Sequence, residues 1–231
     1  MKRILFSFAL LATAFIAKAQ TADEVITKHL DAIGGVANWK KVNSVKMEGT
    51  LVVQGTTVTM TQTVLNGKGN RQDISVMGMN GFTIIAPTSG WNFMPFNGQA
   101  APEALTAEAV AEAQSDLDAQ GNLIDYASKG HTVEYLGKDD VEGTDCYKIK
   151  INLKSGKSET LFFDSKSYLL IRSIAKQKSN GQEMDVTTDF SNYEKLPEGI
   201  LVPMSITLPF GELKLTKVAI NIPVDESIFK N

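Results

Sequence analysis

The chain has 231 residues, of which 43% are hydrophobic and 21% charged, and its formal net charge is −3. This length and composition are typical of a globular protein with a buried core. The weak negative charge argues against nucleic acid or an anionic membrane surface as the main partner. Cys146 is the one cysteine, so an internal disulfide is excluded and stability has to come from the core.

The first nineteen residues have the pattern of a signal peptide. Lys2 and Arg3 form a basic start, residues 4–16 form an apolar run, and Ala17-Lys18-Ala19 is a small-residue cleavage site. A run of thirteen residues is too short to span the roughly 30 Å core of a bilayer as a helix. We therefore expect cleavage after Ala19 and export to the periplasm.

The exported chain, residues 20–231, is predicted to be one soluble domain and a monomer. Without the three basic residues of the signal peptide it has 20 basic and 26 acidic residues, a net charge of −6. Cys146 lies far from the cleavage site, so it is not the lipid-bearing first residue of a lipoprotein. About 210 residues are enough for one domain, particularly an all-β one.

The start of the exported chain predicts an amphipathic helix. Thr21 and Glu24 have the spacing of a capping box, and Gly34-Gly35 is typical of a helix end. Trp39 follows the glycines and is expected to clamp the helix to the rest of the protein. The apolar residues that share one helical face are Val25, Ile26, Leu30 and Ile33.

From Ser44 onwards, apolar and polar residues alternate with the period of two that predicts β-strands. Residues 147–153 show it clearly, and a change of phase between Leu215 and Val218 predicts either a bulge or a strand buried on both faces. The fold class is therefore mainly β, a long antiparallel meander with one face covered. The dipeptides that predict its turns are Gln54-Gly55, Asn66-Gly67 (type I′), Asn80-Gly81, Glu142-Gly143, Ser155-Gly156 and Asn180-Gly181.

The alternation breaks between Pro87 and Ser128, where an Ala/Glu-rich helix is predicted from about Thr106 to Gln120. Its apolar stripe is thin, so we expect it to be loosely attached. Two interpretations stay open: a lid over a cavity, or an ordinary connecting helix. The apolar residues of this region and of the preceding strand are the candidate ligand-binding residues: Met77, Met79, Trp91, Phe93, Met94, Phe96, Val110 and Leu117.

Nothing in the sequence groups the side chains of a catalytic, metal or cofactor site. His29 and His131 are the only histidines, and no metalloprotease, nucleophile-elbow or phosphate-loop motif occurs. Asp139, Asp140 and Glu142 lack the ligand spacing of a calcium loop and are typical of a solvated turn. The expectation is a binding protein that is not an enzyme, although a carboxylate pair that meets only in the folded chain stays open.

Several short segments of the sequence resemble the outer-membrane lipoprotein-sorting proteins, that is, the LolA-like periplasmic carriers and their relatives. These segments begin at Val42 (VNSVKMEG), Tyr135 (YLGKDDVEG), Leu161 (LFFD), Asp189 (DFSNY) and Pro223 (PVDESIF). The resemblance covers essentially all of residues 20–231. It implies a strongly curved, incomplete β-barrel, closed by helices over a hydrophobic cavity that holds the acyl chains of lipoproteins.

Residue patterns and resemblance together predict a soluble periplasmic carrier or binder of lipid-like ligands, involved in outer-membrane lipoprotein sorting. Its partners would be lipoprotein acyl chains, or another lipid-like ligand, and membrane-associated donor or acceptor proteins. The alternative is an accessory protein that uses the same scaffold to bind a protein partner. On the first hypothesis Trp91 and Phe93 lie at the cavity mouth and respond to an acyl ligand, whereas Trp39 responds much less.

Overall fold

The computed structural model describes residues 21–179 and 182–231, so the predicted signal peptide and the predicted Asn180-Gly181 turn lie outside the described residues. Its main element is one antiparallel sheet of thirteen strands, which confirms the predicted fold class. The strands are β1 Ser44–Val53, β2 Thr56–Leu65, β3 Gly69–Val76, β4 Met79–Ile85, β5 Gly90–Phe93, β6 Glu103–Ala104, β7 Thr132–Val141, β8 Thr144–Asn152, β9 Ser158–Asp164, β10 Leu170–Ser179, β11 Gln182–Lys195, β12 Leu201–Leu208 and β13 Gly211–Ile220.

Helices are few and short. The first begins as predicted, because the Thr21 side chain and Glu24 form the capping box, and it ends where Gly34 and Gly35 take positive φ. The helices are α1 Ala22–Ala32, α2 Val36–Trp39 and α3 Ala107–Glu112, with 3-10 turns at Pro95–Asn97, Ala113–Leu117 and Glu226–Phe229.

The order of strands explains why the sheet encloses space. It runs β6-β5-β4-β3-β2-β1-β13-β12-β11-β10-β9-β8-β7, so neighbours follow one another in sequence except where β1 pairs with β13. A sheet of this size twists and curls, and here it remains an open, curved half-barrel with β6 and β7 at its two edges. Residues 105–131, hereafter the strap, connect these two edges and contain the predicted lid helix.

The register shows that the change of phase is a bulge, and it corrects one turn. Opposite Glu48 and Gly49 of β1, the pairing passes from Lys217 to Leu215, so Thr216 is the extra residue. The hairpin between β3 and β4 turns at Met77-Gly78, with φ values of 50° and 81°, and not at the predicted Asn80-Gly81. Asn80 and Gly81 are instead paired residues of β4, because the Met77-Gly78 turn already satisfies the hairpin geometry.

Of the other predicted turns, Gln54-Gly55 and Glu142-Gly143 have positive φ at both residues, as a two-residue type I′ turn requires. Asn66-Gly67 also joins two strands, but only Gly67 has a positive φ, of 68°, and Lys68 completes a three-residue loop. The predicted type I′ geometry is therefore wrong at this hairpin, since the added Lys68 changes the loop length.

The main core lies where α1 packs against the same face of β8 and β9. Val25 of α1 is 0% exposed, and Ile149 and Phe163 of the sheet are equally buried. Trp39 packs against this core, and its indole nitrogen donates a hydrogen bond of 3.1 Å to the carbonyl of Ile33, as the predicted clamp requires. α1 thus fills one half of the curved sheet, and the other half is left for a cavity.

Candidate functional site

A cavity of about 640 Å³ occupies the concave face of the half-barrel, hereafter the concave cavity. Its walls come from β1–β4, β12 and β13, and its cover comes from residues 115–122 of the strap. The volume is within the range of about 300–1,000 Å³ that is usual for small-molecule sites. The lining residues from the strands and from α2 are Trp39, Val45, Met47, Gln62, Val64, Asn70, Gln72, Thr83, Ile85, Val202, Pro203, Ile206, Leu215, Val218 and Ile220.

The two walls of the concave cavity differ in polarity. The wall formed by β1, β12 and β13 is apolar, whereas β2, β3 and β4 contribute amides and a hydroxyl. Gln62 Nε2 donates to Asn70 Oδ1 at 3.2 Å, and Asn70 Nδ2 donates to the carbonyl of Asp116 in the strap at 3.0 Å. The cavity can therefore bury an apolar chain on one wall and position a polar group on the other.

The strap is held more firmly than the sequence predicts. Val110 and Leu117 are 6% and 5% exposed, and Gly90 lets Val110 pack because a Cβ there would lie 3.3 Å from Val110 Cγ2. The predicted helix over 106–120 is shorter, since α3 passes into the 3-10 turn at Ala113. Hydrogen bonds then replace the missing apolar face; they are Gly67 N to Leu117 O, Ala119 N to Asn66 Oδ1, and Gln120 Nε2 to Lys40 O and Val42 O.

The register of β5 places the predicted aromatic residues away from the concave cavity. Thr83 and Ile85 line that cavity, and their partners Asn92 and Gly90 share its face. Trp91 and Phe93 alternate with these partners, so they lie on the outer face of the sheet. Their role in ligand binding stays a prediction, while Trp39 is the tryptophan that lines the concave cavity.

The remaining candidate residues divide between the strap and the ends of strands. Val110 and Leu117 belong to the strap and are buried between it and the sheet. Met94 and Phe96 lie beside Gly81, where a Cβ would be 3.2 Å from Met94 Sδ and 3.0 Å from Phe96 Cε1. Met77 and Met79 lie at the β3–β4 hairpin tip and are 80% and 43% exposed. The structure therefore does not bring the eight candidates together at one site.

Two carboxylates on the concave side have raised pKa values. Burial raises the pKa of Asp116, and the positive charge of Lys157 opposes that rise. Burial also raises the pKa of Glu159, and the charge of Asp116 adds to the rise, which indicates that the two carboxylates interact. The Asp116 side chain is surrounded by protein, but it is exposed to solvent in the concave cavity. It therefore forms part of the cavity wall.

Each of the two histidines is hydrogen-bonded to a backbone group. Burial lowers the pKa of His29 to about 4, and its Nδ1 donates to the carbonyl of Tyr168 at 2.8 Å. His131 Nδ1 accepts the backbone N–H of Lys154 at 3.1 Å, and burial lowers its pKa. Across the part of the chain that the structure describes, no three His, Cys, Asp or Glu side chains are grouped to hold a metal ion.

A second cavity, of about 720 Å³, lies on the other side of the strap and is hereafter the polar cavity. Three strap residues, Ser115, Asp118 and Asn122, line both cavities. Asn122 Oδ1 and Ser155 Oγ are buried without a hydrogen-bond partner, which typically costs about 1–3 kcal/mol for each group. The other lining residues are Asn66, Gly67, Pro87, Ala111, Gln114, Leu117, Gln120, Lys129, His131 and Lys154.

The same half-barrel occurs in solved structures of low sequence identity. A LolA superfamily protein from Nitrosomonas europaea is 13% identical, with a TM-score of 0.59 over 92% of this chain and 99% of that one. A putative outer-membrane lipoprotein-sorting protein domain from Vibrio parahaemolyticus is 14% identical, with a TM-score of 0.52 over 89% and 94%. The protein has a LolA-like fold. A DUF1329 family protein from Desulfovibrio piger shares it, at 12% identity and a TM-score of 0.56 over 89% and 97%.

At the level of sequence, no family model and no curated protein matches the chain. The LolA-like fold therefore rests on the arrangement of the strands and not on conserved motifs. Within residues 21–179 and 182–231, no helix has the length and apolar character needed to cross a membrane.

Proposed function

We propose that this LolA-like protein binds a lipid-like ligand reversibly and carries it in the periplasm, with the acyl chain in the concave cavity. The observation that supports the proposal is the cavity of about 640 Å³ with one apolar wall between the curved sheet and the strap. The apolar wall is built from residues such as Val45, Leu215 and Val218, which hold no specific polar partner. More specifically, we propose that the ligand is the acyl chain of a lipoprotein and that the protein carries it between membranes during outer-membrane lipoprotein sorting.

The physical basis is burial of apolar surface, which stabilises a bound chain by about 25 cal/mol per Å² without directional bonds. A site of this kind needs no nucleophile and no general base, so binding proceeds without turnover. Cleavage of the predicted signal peptide would deliver residues 20–231 as one soluble, monomeric domain. The Vibrio parahaemolyticus neighbour is described as a lipoprotein-sorting domain, and an acyl-chain ligand is consistent with that description.

Tryptophan fluorescence tests this proposal, because the two tryptophans lie on opposite faces of the sheet. Trp39 lines the concave cavity and Trp91 lies on the outer face. On titration of the mature protein with oleate, we expect a saturable change that persists in Trp91→Phe and disappears in Trp39→Phe. The reverse result would move the site to the outer face, and no change in either variant, with no lipid extracted from the purified protein, would overturn the proposal.

A second candidate function, docking to a membrane-associated partner protein, is favoured by one rim of the sheet. Hairpins β3–β4, β1–β2, β12–β13 and β10–β11 lie side by side and turn at the same end. Large apolar side chains are exposed at these tips, which is typical of an interaction surface. This apolar rim consists of Val52, Met77, Met79, Met184 and Phe210.

A further inference from the structure

The polar cavity has two lysines, Lys129 and Lys154, in its lining, whereas the lining of the concave cavity has none. Lys129 Nζ is already occupied, since it binds Asp118 Oδ2 at 2.5 Å and the carbonyl of Gly121 at 2.9 Å. Lys154, in contrast, lines the cavity and has no salt bridge among the described residues. Among the lining residues the Lys129–Asp118 pair is neutral overall, so the exposed side chain of Lys154 contributes one net positive charge.

The uncharged groups of this cavity complete a set of donors and acceptors. His131 accepts the Lys154 N–H at Nδ1, so a neutral imidazole carries its proton on Nε2 and is a donor there. Ser155 Oγ can donate or accept and Asn122 Oδ1 can accept, and both are buried without a partner. A ligand that accepts from the lysine, the imidazole and the hydroxyl, and that also donates to the amide oxygen, would satisfy all of them.

The position of the polar cavity relates it to the ligand of the concave cavity. Ser115, Asp118 and Asn122 of the strap line both cavities, so the two spaces adjoin across one segment of chain. A molecule with an apolar chain and a polar end can therefore place each part in a cavity of matching chemistry. A free acyl chain would leave the unpartnered groups of the polar cavity unused.

We infer that the polar cavity binds the anionic, hydroxyl-bearing head group of an amphiphile whose acyl chain occupies the concave cavity. The phosphate or carboxylate of this head group accepts from Lys154. Ser155 Oγ and Asn122 Oδ1 have no accessible surface in this structure, so their side chains rotate towards the head group, and Ser155 then donates to the anionic group while Asn122 accepts from the hydroxyl. The inference rests on the proposed function, because it assigns the acyl chain to the concave cavity. The inference goes beyond the proposed function because it specifies the class of ligand, an anionic amphiphile and not a neutral one.

Calorimetric titration with two oleoyl probes tests the inference. The probes are 1-oleoylglycerol 3-phosphate, which has the phosphate and a hydroxyl, and 1-oleoylglycerol, which has the same chain without the phosphate. Loss of a charged hydrogen bond typically weakens binding on the order of ten-fold, so we expect the phosphate probe to bind about ten-fold tighter. Lys154→Met should remove this preference and leave the affinity for 1-oleoylglycerol unchanged.

Lys150→Met is the matched control, because Lys150 lies on the outer face of β8 between Ile149 and Ile151, which face the core. It should retain the preference for the phosphate probe. Equal affinity of the native protein for the two oleoyl probes would overturn the inference and leave the proposed function intact. Binding of neither would overturn both. Glycerol 3-phosphate alone is the third probe, and affinity equal to that of its oleoyl ester would overturn the link to an acyl chain.

Discussion

Two adjacent glycines after α1 meet different constraints although both have positive φ. Gly34 has a φ of 113°, and a Cβ there would lie 2.4 Å from the carbonyl oxygen of Gly199. Gly35 has a φ of 85°, and a Cβ there would meet nothing within 4 Å. Gly34 therefore allows α1 to approach the β11–β12 loop, whereas Gly35 only allows the chain to turn.

Alanine at each position should separate close approach from backbone strain. Gly35→Ala should lower the free energy of unfolding by roughly 1–3 kcal/mol, because its φ of 85° and ψ of 145° lie in a backbone region that is essentially restricted to glycine. Gly34→Ala should lower it by that amount and by about 1–3 kcal/mol more, because the Gly199 backbone has to move. Urea denaturation of both variants measures the difference, and equal losses would show that the contact with Gly199 has no energetic role.

The strap is the element on which access to the concave cavity depends. Leu117 is buried against Ile85 and Ala113, while hydrogen bonds from the sheet and α2 region hold the residues on either side. Residues 113–122 of the strap have no regular backbone pairing of the kind that joins the strands, so this segment should open at a lower free energy than the sheet. Opening of the strap would then admit the ligand without unfolding the half-barrel.

Removing the Leu117 side chain should make that opening easier. Leu117→Ala should destabilise the strap by about 2–5 kcal/mol, the usual cost of a buried leucine, and accelerate amide exchange over residues 110–122. Leu136→Ala is the control, since Leu136 lies on the edge strand β7 and is 41% exposed. If both variants leave exchange in the strap unchanged, Leu117 does not hold the strap closed.

At the scale of the whole molecule, the curvature of the sheet separates two functional surfaces. The concave cavity lies between the sheet and the strap, whereas the apolar rim lies at the free ends of four hairpins. A ligand-binding step and a docking step can therefore use different residues. Substitutions in the apolar rim should therefore impair docking and leave ligand binding in the concave cavity unaltered.

The double variant Met77→Ser, Phe210→Ser tests this separation. It should bind oleate in solution with unchanged affinity, because neither residue lines the concave cavity. Delivery of the ligand to vesicles that contain native outer-membrane proteins should slow, since burial of two exposed apolar side chains is lost. Leu136→Ser, an exposed apolar residue elsewhere, is the control. Unchanged delivery by the double variant would reject docking through the rim.

Local patterns of the sequence were sufficient to predict most of the helices, strands and turns. Thr21 and Glu24 predict the capped start of α1, and glycine-containing turns predict most hairpins, because capping and turn geometry depend on neighbouring residues. The change of phase after Leu215 allows a bulge or a strand buried on both faces, and the pairing of β1 with β13 shows that it is a bulge at Thr216. The predicted length of α3 is too long, because hydrogen bonds from the strap to the distant residues Asn66 and Gly67 replace regular helix after Ala113.

Only the tertiary structure decided where the site lies. Alternation assigns Trp91 and Asn92 to opposite faces of β5, but it does not say which face curves inward, and that depends on the pairing of β1 with β13. The same holds for Trp39, which α2 places in the concave cavity, and for Ser155, which a loop brings to the polar cavity. Faces are local properties of a strand, whereas concavity and the meeting of distant loops are properties of the closed chain.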